Sequence, residues 1–261
     1  MRVPSLAEPF TGLPATRRQR RSLAERGHRP WPLPTAPWVM GQTWEDLLFA
    51  HWPIDFERLR PLVPPQLELE QFAGSAWIGI TPFLVRALHG RGLPPLPAGS
   101  AFPELNVRTY VRVADRPGIH FFSLDAASRT AVAGARLVYR LPYVRARMEV
   151  ERRGGRIDYR SRRRDEAAEL DVEYRPAGAV FHAAPHTLEH FLCERYCLYV
   201  VDRGRVLRTD IHHPPWPLQP ARATVRRNTM TRPLGLELPD DEPLAHVAAR
   251  QDVLVWAPTR A

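Results

Sequence analysis

The chain contains no lysine: all 37 residues in the lysine-plus-arginine count are arginine. Lysine is ordinarily among the commonest residues of soluble proteins. Compositional drift towards arginine is the plain reading, but the chemical consequence holds whatever the cause. A Schiff base needs an amine that can lose its proton, and a guanidinium stays charged. No side chain of this protein can form one.

Other absences narrow the field further. The only two cysteines, Cys193 and Cys197, give no disulfide framework and read as core residues. No apolar run reaches membrane-spanning length, and the N-terminus lacks the apolar stretch of a signal peptide. A soluble cytoplasmic protein is the expectation. There is no glycine-rich phosphate loop and no G-x-S-x-G nucleophile turn, so nucleotide cofactors and serine hydrolase chemistry are disfavoured. No cofactor is expected.

What is present begins with charge. The net charge is +9, but it is concentrated. Residues 1–30 carry seven arginines against Glu8 and Glu25, and residues 152–164 carry seven against Asp158. The remainder is close to neutral, which argues against nucleic acid as partner. Residues 1–29 read as a disordered basic tail, without hydrophobic periodicity. Residues 30–38 follow as a strap rich in proline and tryptophan. Repeated prolines forbid helix there and tryptophans supply anchors, so the strap should lie over a domain surface. Residues 30–261 should form one domain.

That domain reads mostly as strands. Residues 105–113 alternate apolar Leu105, Val107, Thr109, Val111 and Val113 with polar Asn106, Arg108, Tyr110 and Arg112, the clearest period of two in the chain. Strands are also expected over 47–52, 77–85, 119–124, 170–174, 197–201, 206–211 and 253–256. A hairpin turning at Gly154-Gly155 should carry most of the second arginine cluster. Helices are expected over 55–60, 128–139 and from Pro185 to about Arg195. The pattern indicates an α+β, predominantly β domain, built as a barrel or packed antiparallel sheets with a few short helices.

Four constellations could carry chemistry. Glu104, Asn106, Arg108 and Tyr110 recur at every second residue and so share one face. Lining a cavity, they could orient a small carboxylate or carbonyl compound; on a half-exposed sheet they would be a solvated face. His186-Thr187-Leu188-Glu189-His190 matches the H-x-x-E-H pattern of some zinc peptidases, which is short and arises easily by chance. Glu194-Arg195-Tyr196 lies at a helix-to-strand junction, as an ion pair and amphipathic tyrosine or as part of a site. His212-His213 precedes a rigid Pro-Pro-Trp turn, where His213 could act as general acid or base or simply pack.

Seven ordered blocks resemble the YqjF-like family of the acetoacetate decarboxylase-like superfamily. They include residues 38–53, Trp77–Phe83, Glu104–Val111, Phe121–Ala126, Tyr139–Tyr143, Phe191–Leu198 and His213–Leu218. The resemblance implies a β-rich fold enclosing a small-molecule cavity. In acetoacetate decarboxylase a lysine follows a proline shortly after a helix; here Pro142 is followed by Tyr143 and Val144. Glu104 is similar to a cavity glutamate of that enzyme. Together the residues and the resemblance suggest Glu104, Arg108 and His213 as catalytic groups and Asn106, Tyr110, Tyr143, Glu194, Arg195 and Tyr196 as ligand contacts. The expected function is binding of a small ligand, or lyase or hydratase chemistry without a Schiff base. The alternatives are a zinc hydrolase at His186, Glu189 and His190, and a binding module whose tail and hairpin meet an acidic partner. A homo-oligomer is compatible with all of these.

Overall fold

The computed structural model describes residues 12–95, 100–128, 139–164 and 168–261. Thirteen strands appear among them: β1 (Met40–Ile54), β2 (Glu68–Leu69), β3 (Ala76–Gly90), β4 (Phe102–Val113), β5 (Arg116–Ala126), β6 (Tyr143–Arg153), β7 (Arg156–Arg163), β8 (Glu169–Pro176), β9 (Cys197–Asp202), β10 (Arg205–His212), β11 (Gln219–Asn228), β12 (Leu244–Val255) and β13 (Thr259–Arg260). The helices are short: α1 (Gly12–Arg21), α2 (Phe56–Leu59) and α3 (Leu188–Cys193). The helix expected over 128–139 lies almost wholly outside the described residues.

The sheet is ring-like rather than one clean barrel. β12, β1, β3, β4 and β5 pair in that order as an antiparallel band. Both edges of the band then fork. The start of β5 pairs in parallel with β9, and its end, Leu124–Ala126, with β6. The end of β12 pairs with β10 and its start with β11. One ring closes through β9 and β10, the other through β6, β7, β8 and β11.

Alternation along the band separates two interiors. From β4, Leu105, Val107 and Val111 enter the largest apolar cluster, with Leu48, Ile78 and Ile80. Phe102 and Tyr110 enter a second cluster, rich in aromatics, with Phe49, Phe83 and Trp216. Burying each large apolar side chain stabilises the fold by roughly 1.5–3 kcal/mol. The band is therefore covered on both faces. This overturns the solvated-face reading of β4: Glu104, Asn106 and Arg108 are 7%, 5% and 6% exposed, and Tyr110 is fully buried.

Two expectations about the basic segments change. Residues 12–29, expected to be a disordered tail, form α1 and a following turn that dock on the sheet. Gln19 Nε2 donates to Thr43 Oγ1 at 3.1 Å, and Arg18 pairs with Asp252 at 3.0 Å. Besides these polar contacts, among the described side chains only Ala15 is buried in the helix and Leu23 packs beyond it, too few apolar side chains to mark a hydrophobic period. In the hairpin of β6 and β7, turning at Gly154 and Gly155 with positive φ, six of the seven arginines meet carboxylates. The hairpin's charge is thus largely neutralised within the fold, which removes the main support for an acidic partner there.

Candidate functional site

The inner row of β4 divides into two ends. Glu104 and Arg108 lie four residues apart, which on an extended strand is roughly 13 Å. At one end the Tyr143 hydroxyl donates to Glu104 Oε2 at 3.0 Å. β6 begins at Tyr143 and runs parallel to the end of β5, which carries the phenol towards β4. Burial pushes the Glu104 carboxyl up to about 8, the hydrogen bond from Tyr143 offsets part of this, and nearby Asp125 adds to it. Glu104 is therefore mainly protonated at neutral pH. In that state it carries a proton and no charge. Beside this end Arg163 is fully paired, with Asp125 at 2.8 Å and Ser123 at 2.5 Å. An open cavity of about 570 Å³ reaches Tyr143, Ser123 and Arg163 from outside.

At the other end stand Arg108, Tyr110 and His51. Arg108 Nη2 donates to the Leu192 carbonyl at 3.0 Å and to the Tyr110 hydroxyl at 3.3 Å. The Tyr110 oxygen lies 2.6 Å from His51 Nε2. A guanidinium can only donate, so Tyr110 accepts from Arg108 and gives its own proton to Nε2. The neutral imidazole must then carry hydrogen on Nδ1. Burial and the Arg108 charge both hold His51 well below the usual imidazole range, which keeps it neutral. His51, in register with Gly79, and Gly79, in register with Arg108, form one cross-strand row. A Cβ on Gly79 would lie 3.0 Å from the His51 ring and 3.3 Å from Arg108 Cγ, so glycine allows the two to flank it.

This end has a surplus of donors. His51 Nδ1, Arg108 Nε and Trp216 Nε1 are buried without partners; Asn106 Oδ1 and Thr81 Oγ1, on paired positions of β4 and β3, are also unpartnered. Arg108 contrasts with the buried Arg163 and Arg195, which pair with Asp125 and Glu70. Among the described residues no carboxylate lies within ion-pairing distance of Arg108. A buried charge without a counter-charge costs several kcal/mol, on the order of the penalty per desolvated ion.

Sequence reasoning picked out Arg108 and Tyr110 but missed His51, Gly79 and Glu70. A lone histidine in an apolar run and a glycine within a strand carry no local signal of chemistry.

Glu194, Arg195, Tyr196 and His213 form a neighbouring knot. Glu194 accepts from the Tyr196 hydroxyl and from the Trp216 backbone amide. His213 stacks on Tyr196, with ring centroids 4.7 Å apart, and its nitrogens face the carbonyls of Pro214 and Arg195. Arg195 lies over the Tyr110 ring at 5.1 Å. The knot thus packs against the Arg108 end. His213 is held by two backbone carbonyls and by its stacking on Tyr196.

The zinc motif does not assemble. Thr187 caps α3, and His186 precedes the helix with φ of 67°, so His186 and His190 do not share a helical face. Among the described residues no group of three or more His, Cys, Asp or Glu could hold a metal. Cys193 and Cys197 are free and buried, as expected. No described helix is long and apolar enough to cross a membrane.

The forked ring and its buried polar row define an acetoacetate decarboxylase-like fold. The chain overlays on the enduracididine biosynthesis enzyme MppR in complex with pyruvate with a TM-score of 0.61, at 12% identity, covering 88% of this chain and 93% of that one. It overlays on acetoacetate decarboxylase from Legionella pneumophila with a TM-score of 0.59, at 12% identity, covering 100% and 98%. In sequence it is 49% identical over 225 residues to the uncharacterised protein YqjF of Bacillus subtilis, covering 86% of this chain and 93% of that protein. The model of the DUF2071 family of uncharacterised conserved proteins matches residues 41–252, and the chain belongs to that family.

Proposed function

We propose that the chain binds a small carboxylate- or carbonyl-bearing compound against the inner face of β4, and that turnover there proceeds by proton transfer without a Schiff base. The supporting observation is Arg108, a buried cation with no carboxylate partner among the described residues, beside unpartnered donors on His51 and Trp216. A ligand carboxylate would supply the missing charge and acceptors. Asn106 would orient the ligand between the two ends. Glu104, held by Tyr143, would deliver a proton at the far end, as lyase or hydratase chemistry requires. Tyr110 fixes Arg108, while Glu194, Arg195 and Tyr196 support that end.

MppR is seen with pyruvate, so 2-oxo acids are the first compounds to test. The separation of Glu104 from Arg108 favours one longer than pyruvate. Calorimetric titration with pyruvate and phenylpyruvate should give binding that R108Q weakens by roughly 10-fold or more. E104Q should leave affinity largely intact and abolish turnover. Binding indifferent to R108Q sinks the reading.

A further inference from the structure

We infer that the N-terminal strap forms a second ligand site, separate from β4, that takes a planar aromatic carboxylate. A groove of about 710 Å³ runs between residues 23–38 and Trp256. Its walls carry three tryptophans, Trp31, Trp38 and Trp256, and three arginines, Arg26, Arg29 and Arg91; no acidic residue lines it. The remaining wall residues are proline, leucine, alanine and glycine.

Arg26 and Arg91 are exposed, and their charge is open to a ligand, while the buried Arg29 lies over the Tyr196 ring at 4.8 Å. None of the three has a carboxylate within ion-pairing distance among the described residues, unlike the arginines of the hairpin. Arg29 is only 9% exposed, and its Nη2 has no hydrogen-bond partner. Its Nη1 is fixed to the Ile211 carbonyl at 2.8 Å. Asp210 interacts electrostatically with Arg29 and also accepts from Trp31 and Arg208. Arg91 lies 5.8 Å from the Trp38 ring centre.

The groove is also pre-shaped. Prolines 30, 32, 34 and 37 restrict the strap, and Trp256 Nε1 ties it down through the Ala36 carbonyl at 2.7 Å. Trp31 is part-exposed, whereas Trp38 and Trp256 are buried in an apolar cluster with Leu254; an indole surface favours a flat ring, and guanidinium groups favour a carboxylate. Neither feature alone selects a ligand. Their combination, without any competing acid, selects a molecule that has both. The volume falls within the range of small-molecule sites.

The test is calorimetric titration of the full chain with 2-naphthoate and with cyclohexanecarboxylate, which has the charge without the flat ring. 2-Naphthoate should bind, and cyclohexanecarboxylate should bind roughly 10-fold more weakly. R26Q/R91Q changes only exposed side chains and should weaken 2-naphthoate binding by roughly 10-fold. R108Q should leave it unchanged. Equal affinity for the two acids, or indifference to R26Q/R91Q, overturns the proposal. Loss of binding in R108Q overturns it too, by placing the ligand at β4 instead.

Discussion

Replacing Glu104 by glutamine should stabilise the protein, and increasingly so as pH rises. The folded carboxyl titrates at about 8 because burial penalises its charged form, against an ordinary value of 4.5. Below pH 4.5 the group is protonated in both folded and unfolded chains and costs nothing. Between 4.5 and 8 the unfolded chain releases the proton while the folded one keeps it. Stability therefore falls as pH rises through this window and levels off above 8. Each pH unit is worth about 1.4 kcal/mol, so the penalty at pH 7 is roughly 3 kcal/mol, an upper bound for a site that can relax. Glutamine carries no charge and can still accept from Tyr143. Urea unfolding of both proteins from pH 4 to 9 measures the difference. A stability difference that stays flat from pH 5 to 8 would refute the raised titration and, with it, the neutral-acid role of Glu104.

Arg108 and Arg163 should respond very differently to removal of their charge. R108M should change stability by less than about 1 kcal/mol, because an unpaired buried cation leaves as its hydrogen bonds are lost; R163M should cost about 3–5 kcal/mol by stranding Asp125, both read by denaturant titration. G79A should cost about 1–3 kcal/mol by pushing apart His51 and Arg108, and should weaken 2-oxo acid binding in the same calorimetric assay. Borohydride treatment with a 2-oxo acid should leave residues 30–256 without a covalent adduct; a trapped adduct found there by mass spectrometry would contradict the lysine argument.

Much of the band was legible because burial and strand period coincide there. β4 alternates strictly, and the Gly154-Gly155 turn has the residues its geometry needs. β11 was missed because its inward positions are Ala221, Ala223 and Val225, too small to stand out against Pro220 and the arginines. α1 was missed because Gln19 and Arg18 dock it by hydrogen bonds and an ion pair, which leave no apolar period. The site was half visible. Alternation put four polar side chains on one face of β4, but whether that face was wet or buried depended on strands and aromatics far along the chain. His51 was invisible for the same reason: its chemistry comes from Tyr110, Arg108 and Gly79, which register across three strands brings to it. The H-x-x-E-H match failed on one backbone angle, at His186, that no spacing rule contains.

The two ends of the β4 row also explain each other. If Arg108 were the ion-pair partner of Glu104, the carboxyl would be held below its ordinary range, yet it is raised. The distance along the strand keeps them apart, and the guanidinium leans to Tyr110 and the Leu192 carbonyl. A neutral acid and a lone cation then occupy one buried face. On the alignment implied by the family resemblance, Tyr143 and Val144 stand where acetoacetate decarboxylase carries its lysine pair. An ammonium at that position, beside Glu104, would favour the ionised carboxylate. A phenol instead donates one hydrogen bond and leaves the carboxyl protonated. Under the proposed reading, a phenol there instead of an amine suits the pair to giving a proton and not to covalent capture of a carbonyl.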